Sequence, residues 1–251
     1  MSEPAIALAP LPFELVLDDG EPLETEWHVI EPTFLWELIR QAMAEQGRTD
    51  FHVAANNFVY YSVQQAREVA EEVAKNLEPR EQKAFRGPDV YWVGNVPDRA
   101  RQVWIAWEEG GRLPDVVFEF LSPSTAHKDR TEKRDLYARV FRTAEYFMYD
   151  PETRRLEGLR LVRRSSSYRP ILPDSNGRLW SEQLGAFIGI WHGVVKGREY
   201  DWIRLFHSDG SLVLTEAEAE RQRADTERQR ADAAEAELAR LRALLDKRDQ
   251  T

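Results

Sequence analysis

The chain has no cysteine and only three methionines, and no apolar run approaches membrane-spanning length. Without cysteine there can be no disulfide, no thiolate metal site and no Cys nucleophile. Without about 18 consecutive apolar residues, no transmembrane helix is expected. The first ten residues, Met1-Ser-Glu-Pro-Ala-Ile-Ala-Leu-Ala-Pro10, lack the basic flank of a secretory signal, so a cytoplasmic location is expected. Positive charge is also short, with 34 Lys and Arg against 44 Asp and Glu, a net −10. Residues 215–251 hold ten acidic and eight basic side chains, which leaves about −8 on the body. That balance argues against tight, sequence-independent DNA binding. It leaves room for an acidic site carrying a divalent metal, because a bound cation inverts the local charge.

What is present is ample for a core. At 251 residues, 42% apolar and with eight Trp, the chain can form one sizeable domain and an appendage. Residues 1–30 are Pro-rich and weakly periodic, and read as an arm. Residues 31–212 form the main domain. Thr33 is a plausible N-cap for a helix to about Gln46, ended by Gly47. Phe51 to Val63 reads as extended and Val63 to Leu77 as helical. Pro88 to Gly94, Gln102 to Trp107 and Val116 to Leu121 read as strands, the last of them central. Lys128 to Val140 has helical character. Tyr146 to Tyr149, Leu156 to Val162, Tyr168 and Trp202 to Phe206 supply later strands. Asn176-Gly177 and Asp209-Gly210 mark hairpin-like turns. Alternating helices and strands predict an α/β or α+β fold with a mixed sheet.

From residue 213 the character changes to a long charged helix. Glu220-Arg-Gln-Arg-Ala-Asp-Thr is followed by Glu227-Arg-Gln-Arg-Ala-Asp-Ala. Ala217, Ala224, Ala231, Leu238 and Leu245 share one heptad position, and Ala234 and Leu241 share the other. Glu220 and Glu227 weaken the early seam. A solvated helix and a homodimeric coiled coil are both open.

The candidate chemistry lies in Leu113-Pro-Asp-Val-Val-Phe-Glu-Phe-Leu-Ser-Pro-Ser124. Glu119 sits inside an apolar run, and burying an unpartnered carboxylate costs several kcal/mol. Side chains alternate along a strand, so Asp115 and Glu119 share a face. At ~3.3 Å per residue they stand roughly 13 Å apart. That is too far to share one ion with ligand distances of about 2.0–2.6 Å. A partner must come from a neighbouring strand, and Asp89, opening an apolar strand after Pro88, is the best candidate. Lys133 falls in the next helix with Leu136, Tyr137 and Val140 on what reads as the sheet-facing side. An Asp, a Glu and a Lys at one strand end suit phosphodiester cleavage. The carboxylates hold Mg²⁺ (or Mn²⁺), and the lysine orients the nucleophile or stabilises the transition state.

Several segments resemble the Uma-type family of restriction endonucleases, within the PD-(D/E)XK nuclease superfamily. They are Gly87-Pro-Asp-Val90, the stretch Leu113 to Ser124, Asp129-x-x-x-Lys133-x-x-x-Tyr137 and Glu145-Tyr-Phe-Met-Tyr-Asp-Pro151. The likeness covers roughly residues 30–205. It implies a restriction-endonuclease-like core, a mixed central sheet flanked by helices, acting on DNA. Asp89 and Glu119 would bind the metal and Lys133 would be the catalytic lysine, with Asp115 a secondary candidate. Leu121 stands where Glu-x-Lys would place a lysine, so that role falls to Lys133.

Blander readings stand beside these. Asp129 reads as an ordinary helix salt-bridge partner of Lys133, Tyr137 as core with a hydroxyl partner, and Ser122 and Ser124 as caps. His52, His127, His192 and His207 show no metal-ligand spacing. The alternative function is a catalytically inactive nuclease-fold interaction protein assembling through its C-terminal helix. A two-carboxylate glycoside hydrolase would leave Lys133 without a role.

Overall fold

The computed structural model describes residues 26–75, 77, 84–122, 126–162 and 164–248, with side chains described through 240. Most of the expected arm, and the Pro123-Ser124 end of the key segment with its expected cap, lie outside the described residues. The chain divides into two compact units, Met1–Leu212 and Val213–Thr251.

The first unit is built on a mixed six-stranded sheet of order β1-β3-β5-β6-β7-β8. Its strands are β1 (Phe51–Ala55), β3 (Val90–Gly94), β5 (Val116–Phe120), β6 (Glu145–Asp150), β7 (Arg155–Val162) and β8 (Ser167–Pro170). β5 and β6 run parallel, and the other neighbours run antiparallel. The expected α/β class with a mixed central sheet is therefore what the chain adopts. β5 is buried along its whole length, which is why it reads as a near-continuous apolar run rather than an alternating one. The short β2 (Val59–Tyr60) and β4 (Trp104–Ile105) pair in parallel beside it. β9 (Leu179–Ser181), β10 (Ala186–Val195) and β11 (Arg198–Phe206) form a second, antiparallel sheet of order β11-β10-β9.

Helices cover both faces of the large sheet. Helix α1 spans Glu26–Glu45 and starts earlier than Thr33. Pro32 lies inside it, and the Thr33 hydroxyl donates to the Ile30 carbonyl at 2.9 Å instead of capping an end. Trp27, Phe34 and Trp202 pack between α1 and β11, while Trp27 also meets Phe120 edge-on at 5.2 Å. Phe118 stacks on Phe147 at 5.1 Å on that same face. Helix α2 (Val63–Ala74) is capped by Ser62, whose side chain accepts from the Gln65 N–H.

The other face carries the crossover between β5 and β6, a helical run α3 over residues 126–141. It alternates α turns at Ala126–Lys128 and Arg134–Leu136 with π turns at Asp129–Lys133 and Tyr137–Phe141. Arg142, in the left-handed region at φ 56°, ends it. Tyr137, Ala138 and Phe141 pack from α3 onto Val117, Leu121, Tyr146 and Met148 of the sheet.

In the second unit, helix α4 (Glu216–Arg248) opens with a capping box. The Thr215 hydroxyl accepts from the Glu218 N–H at 3.2 Å, and the Glu218 carboxylate accepts from the Thr215 N–H at 2.9 Å. No helix among the described residues is long and apolar enough to cross a membrane.

Candidate active site

Strand pairing explains how two acids thirty residues apart meet. Val90 of β3 pairs with Phe118 of β5 in antiparallel register. Continuing that register by one residue sets Asp89 opposite Glu119, and opposed residues on antiparallel strands project from the same face. Asp89 turns its Oδ2 to accept the Phe120 N–H at 2.6 Å. Its own carbonyl accepts from the Asn56 N–H at 2.8 Å. The acid is thus fixed at the end of the β3–β5 ladder.

Glu119 is 1% exposed, and both of its oxygens are engaged. Lys133 Nζ lies 2.9 Å from Oε2, and the Tyr137 hydroxyl donates to Oε1 at 2.5 Å. Lys133 Nζ also stands 2.7 Å from Oδ1 of Asp129, itself 1% exposed. Asp129, Lys133 and Tyr137 are four residues apart along α3. In a uniform α-helix each such step would rotate the side chain by about 40°. The wider π turn rotates it the other way, so alternating the two types keeps all three side chains over the sheet. The same π turns overturn part of the expected helix face: Val140 is 49% exposed, while Ala138 and Phe141 face inward.

Two buried acids, Glu119 and Asp129, therefore share one ammonium, with the half-buried Asp89 beside them. Burial pushes the Glu119 carboxyl up to about 8; Lys133 opposes that shift, and Asp89 and Asp129 add to it. Burial raises Asp89 as well, against the pull of Lys133 and the Phe120 N–H. Burial would lower Lys133, but Glu119, Asp129 and Asp89 outweigh it and hold the amine protonated. Tyr137 is driven well above its ordinary value by burial and by the negative Glu119, so it stays a donor. Tyr146 adds a hydroxyl bond to the Asp129 carbonyl at 3.1 Å.

This donor set fits a hard divalent cation. It offers carboxylate oxygens only, with more negative charge than Lys133 neutralises. Among the described residues no group of three His, Cys, Asp or Glu side chains is arranged around one ion point. Mg²⁺ does not need such a cage, since it is usually held by one or two carboxylates, waters and substrate phosphate. Asp89 and Glu119 are the two that would hold it.

Asp115 takes no part. Its Oδ2 accepts from the Gly94 N–H at 2.9 Å and from Arg112 at 3.0 Å, tying the start of β5 to the end of β3. Asp129 is the member that sequence reasoning placed outside the site, although its spacing from Lys133 was the available signal. Tyr137 found the hydroxyl partner expected of it, and that partner is Glu119.

A family model described as "Uma2: Putative restriction endonuclease" matches residues 17–192, well over half of the chain. The chain belongs to this family. The family expected from the sequence is thereby shown, and Uma2 membership supports a nuclease function in that coarse sense. A solved structure of "a putative nuclease belonging to DUF820" from Anabaena variabilis ATCC 29413 also matches, at 11% identity and a TM-score of 0.43. That match covers 65% of this chain and 76% of the other. No curated protein matches.

Proposed function

We propose that this Uma2 protein is a Mg²⁺- or Mn²⁺-dependent endonuclease that hydrolyses DNA phosphodiester bonds. The observation that carries the reading is the cluster in which Asp89 and the buried Glu119 oppose each other and Lys133 bridges Glu119 to the buried Asp129. Asp89 and Glu119 would hold the cation, which would supply Lewis-acid activation of water and neutralise charge on the phosphate. Lys133, fixed by two carboxylates, points a preorganised N–H donor at the attacking water or the phosphate oxygen. Tyr137 and Asp129 are positioning residues: one holds the Glu119 carboxylate, the other the lysine. Purified protein with supercoiled plasmid and Mg²⁺ or Mn²⁺ should give EDTA-sensitive nicking that Glu119→Ala abolishes. Nicking that survives this substitution would sink the assignment.

One observation favours the alternative of an inactive interaction protein. Both Glu119 oxygens are already satisfied internally by Lys133 and Tyr137. Calorimetry separates the two readings, since the endonuclease must take up Mg²⁺ or Mn²⁺ and the interaction protein need not.

The heptads of α4 support self-association as a homodimer, with Leu238 half exposed on its seam. Light scattering of the full chain is expected to give a dimer mass. Ala234→Glu with Leu238→Glu should halve it, and a monomeric mass without the substitutions would refute the dimer.

A further inference from the structure

A cleft of about 430 Å³ opens at the end of β5, lined by Leu121 and Ser122. These residues lie two and three positions beyond Glu119, or roughly 7–10 Å along the chain at ~3.3 Å per residue. That distance is two or three nucleotides at the ~3.4 Å rise of a B-DNA strand. The volume falls among sites that enclose one small-molecule-sized group, roughly 300–1,000 Å³. The remaining walls come from α1, from the turn between β6 and β7 at Pro151, Glu152 and Arg154, and from the second sheet.

Its polar lining is organised around Asp201. Asp201 Oδ2 holds Arg154 Nε at 2.8 Å, and Oδ1 lies 3.0 Å from His192 Nδ1. The Asp201 carbonyl accepts the Trp27 indole N–H at 3.3 Å and the Tyr149 hydroxyl at 3.4 Å. Gripping arginine by Nε leaves its two terminal nitrogens as a planar, pre-aimed fork. Arg154 closes the turn between β6 and β7 with a left-handed φ of 56°. Glu199 and Glu152 supply acceptors on the same cleft, and Tyr200, 38% exposed, supplies a ring.

The three carboxylates outnumber Arg154, so the cleft does not suit a phosphate. It suits a neutral, planar group that offers acceptors to an arginine fork and N–H donors to carboxylates. Among nucleobases that description is met by guanine. Its O6 and N7 take a bidentate arginine, its N1–H and amino group face acids, and its ring can stack on Tyr200. We propose that the cleft is a base-specificity subsite that receives an unpaired guanine from the strand bound at the neighbouring site. Arg154 and Glu199 read its edges, and Asp201 and His192 act as positioning residues. The proposal rests on the nuclease reading for the origin of the strand, but binding can be tested without cleavage.

The full-length protein in EDTA should bind a labelled eight-nucleotide single strand with one central guanine roughly tenfold more tightly than its thymine counterpart. Replacing that guanine by 7-deazaguanine, which lacks N7, or by inosine, which lacks the amino group, should each remove much of the difference. Arg154→Ala, Glu199→Gln and Tyr200→Ala should erase the preference while the melting temperature stays near that of the parent. Equal binding of guanine and thymine strands would overturn the proposal, as would a preference for adenine or cytosine. Free dGMP binding as tightly as the strand would overturn the strand origin. Plasmid nicking with no guanine preference in this assay would leave the endonuclease standing and remove only the subsite.

Discussion

Lys133→Met should cost the fold about 3–5 kcal/mol at pH 8 in metal-free buffer, because it leaves buried carboxylates without their counter-charge. The ammonium lies 2.9 Å from Glu119 and 2.7 Å from Asp129, and each of these acids is 1% exposed. It also pulls down Asp89. With the lysine gone, Glu119 and Asp89 can escape the penalty by taking up protons, or the cluster can collect another cation. The folded pKa values of Glu119 and Asp89, already raised, then rise further above the unfolded ones. A group raised in this way contributes stability that is fully present below its unfolded pKa and lost as pH climbs through the folded value. The variant should therefore melt close to the parent at pH 5 and well below it at pH 8. At roughly 2–4 °C per kcal/mol the gap at pH 8 is about 6–20 °C. Added Mg²⁺ should close part of it, since the cation replaces the missing charge. A pH-independent difference of a degree or two would mean that these acids are not electrostatically coupled as the geometry requires.

Much of this site was legible because chemistry and periodicity agreed. Glu119 stood out as an acid in an apolar strand, and two-residue alternation with 3.3 Å spacing excluded Asp115 as its direct partner. Asp115 indeed spends its carboxylate on Gly94 and Arg112. The opposition of Asp89 to Glu119 depends on the β3–β5 register, a non-local pairing that no local signal specifies. The buried role of Asp129 was hidden for a different reason. An Asp four residues before a Lys is ordinary on any solvated helix, and only packing tells the two situations apart. Helix periodicity also misplaced Val140, because it assumes 3.6 residues per turn where α3 uses π turns. Taking Thr33 as the N-cap concealed the first turns of α1, which carry Trp27 and His28. The cleft was beyond reach from sequence. Its walls come from residues 27–28, 121–122, 151–154 and 192–201, segments with no common spacing.

Glu119→Gln should do two opposite things, and together they separate a working site from a structural ion pair. The amide keeps the shape of the side chain and still accepts from the Tyr137 hydroxyl at Oε1. It removes a carboxylate that burial pushes up to about 8 from an ordinary value near 4.5. By the sign rule for a raised pKa, the parent keeps the full contribution of this group below about pH 4.5 and loses it progressively through pH 8. The variant loses nothing over that range. Lys133 gives up one partner but retains Asp129 at 2.7 Å, so the net gain is smaller than the pKa displacement alone suggests. A rise of roughly 2–8 °C in melting temperature at pH 8.5 in metal-free buffer corresponds to about 1–2 kcal/mol. The two proteins should converge at pH 5. Activity should move the other way, with nicking down by about 10²–10³-fold, the scale for removing one electrostatic contact to a transition state. Mg²⁺ should raise the melting temperature of the parent and leave that of the variant nearly unchanged. Stability given up at a site that needs its charge is the usual cost of function. If the amide instead destabilised the fold at pH 8.5, Glu119 would be a satisfied ion-pair partner and the reading of an inactive core would take precedence.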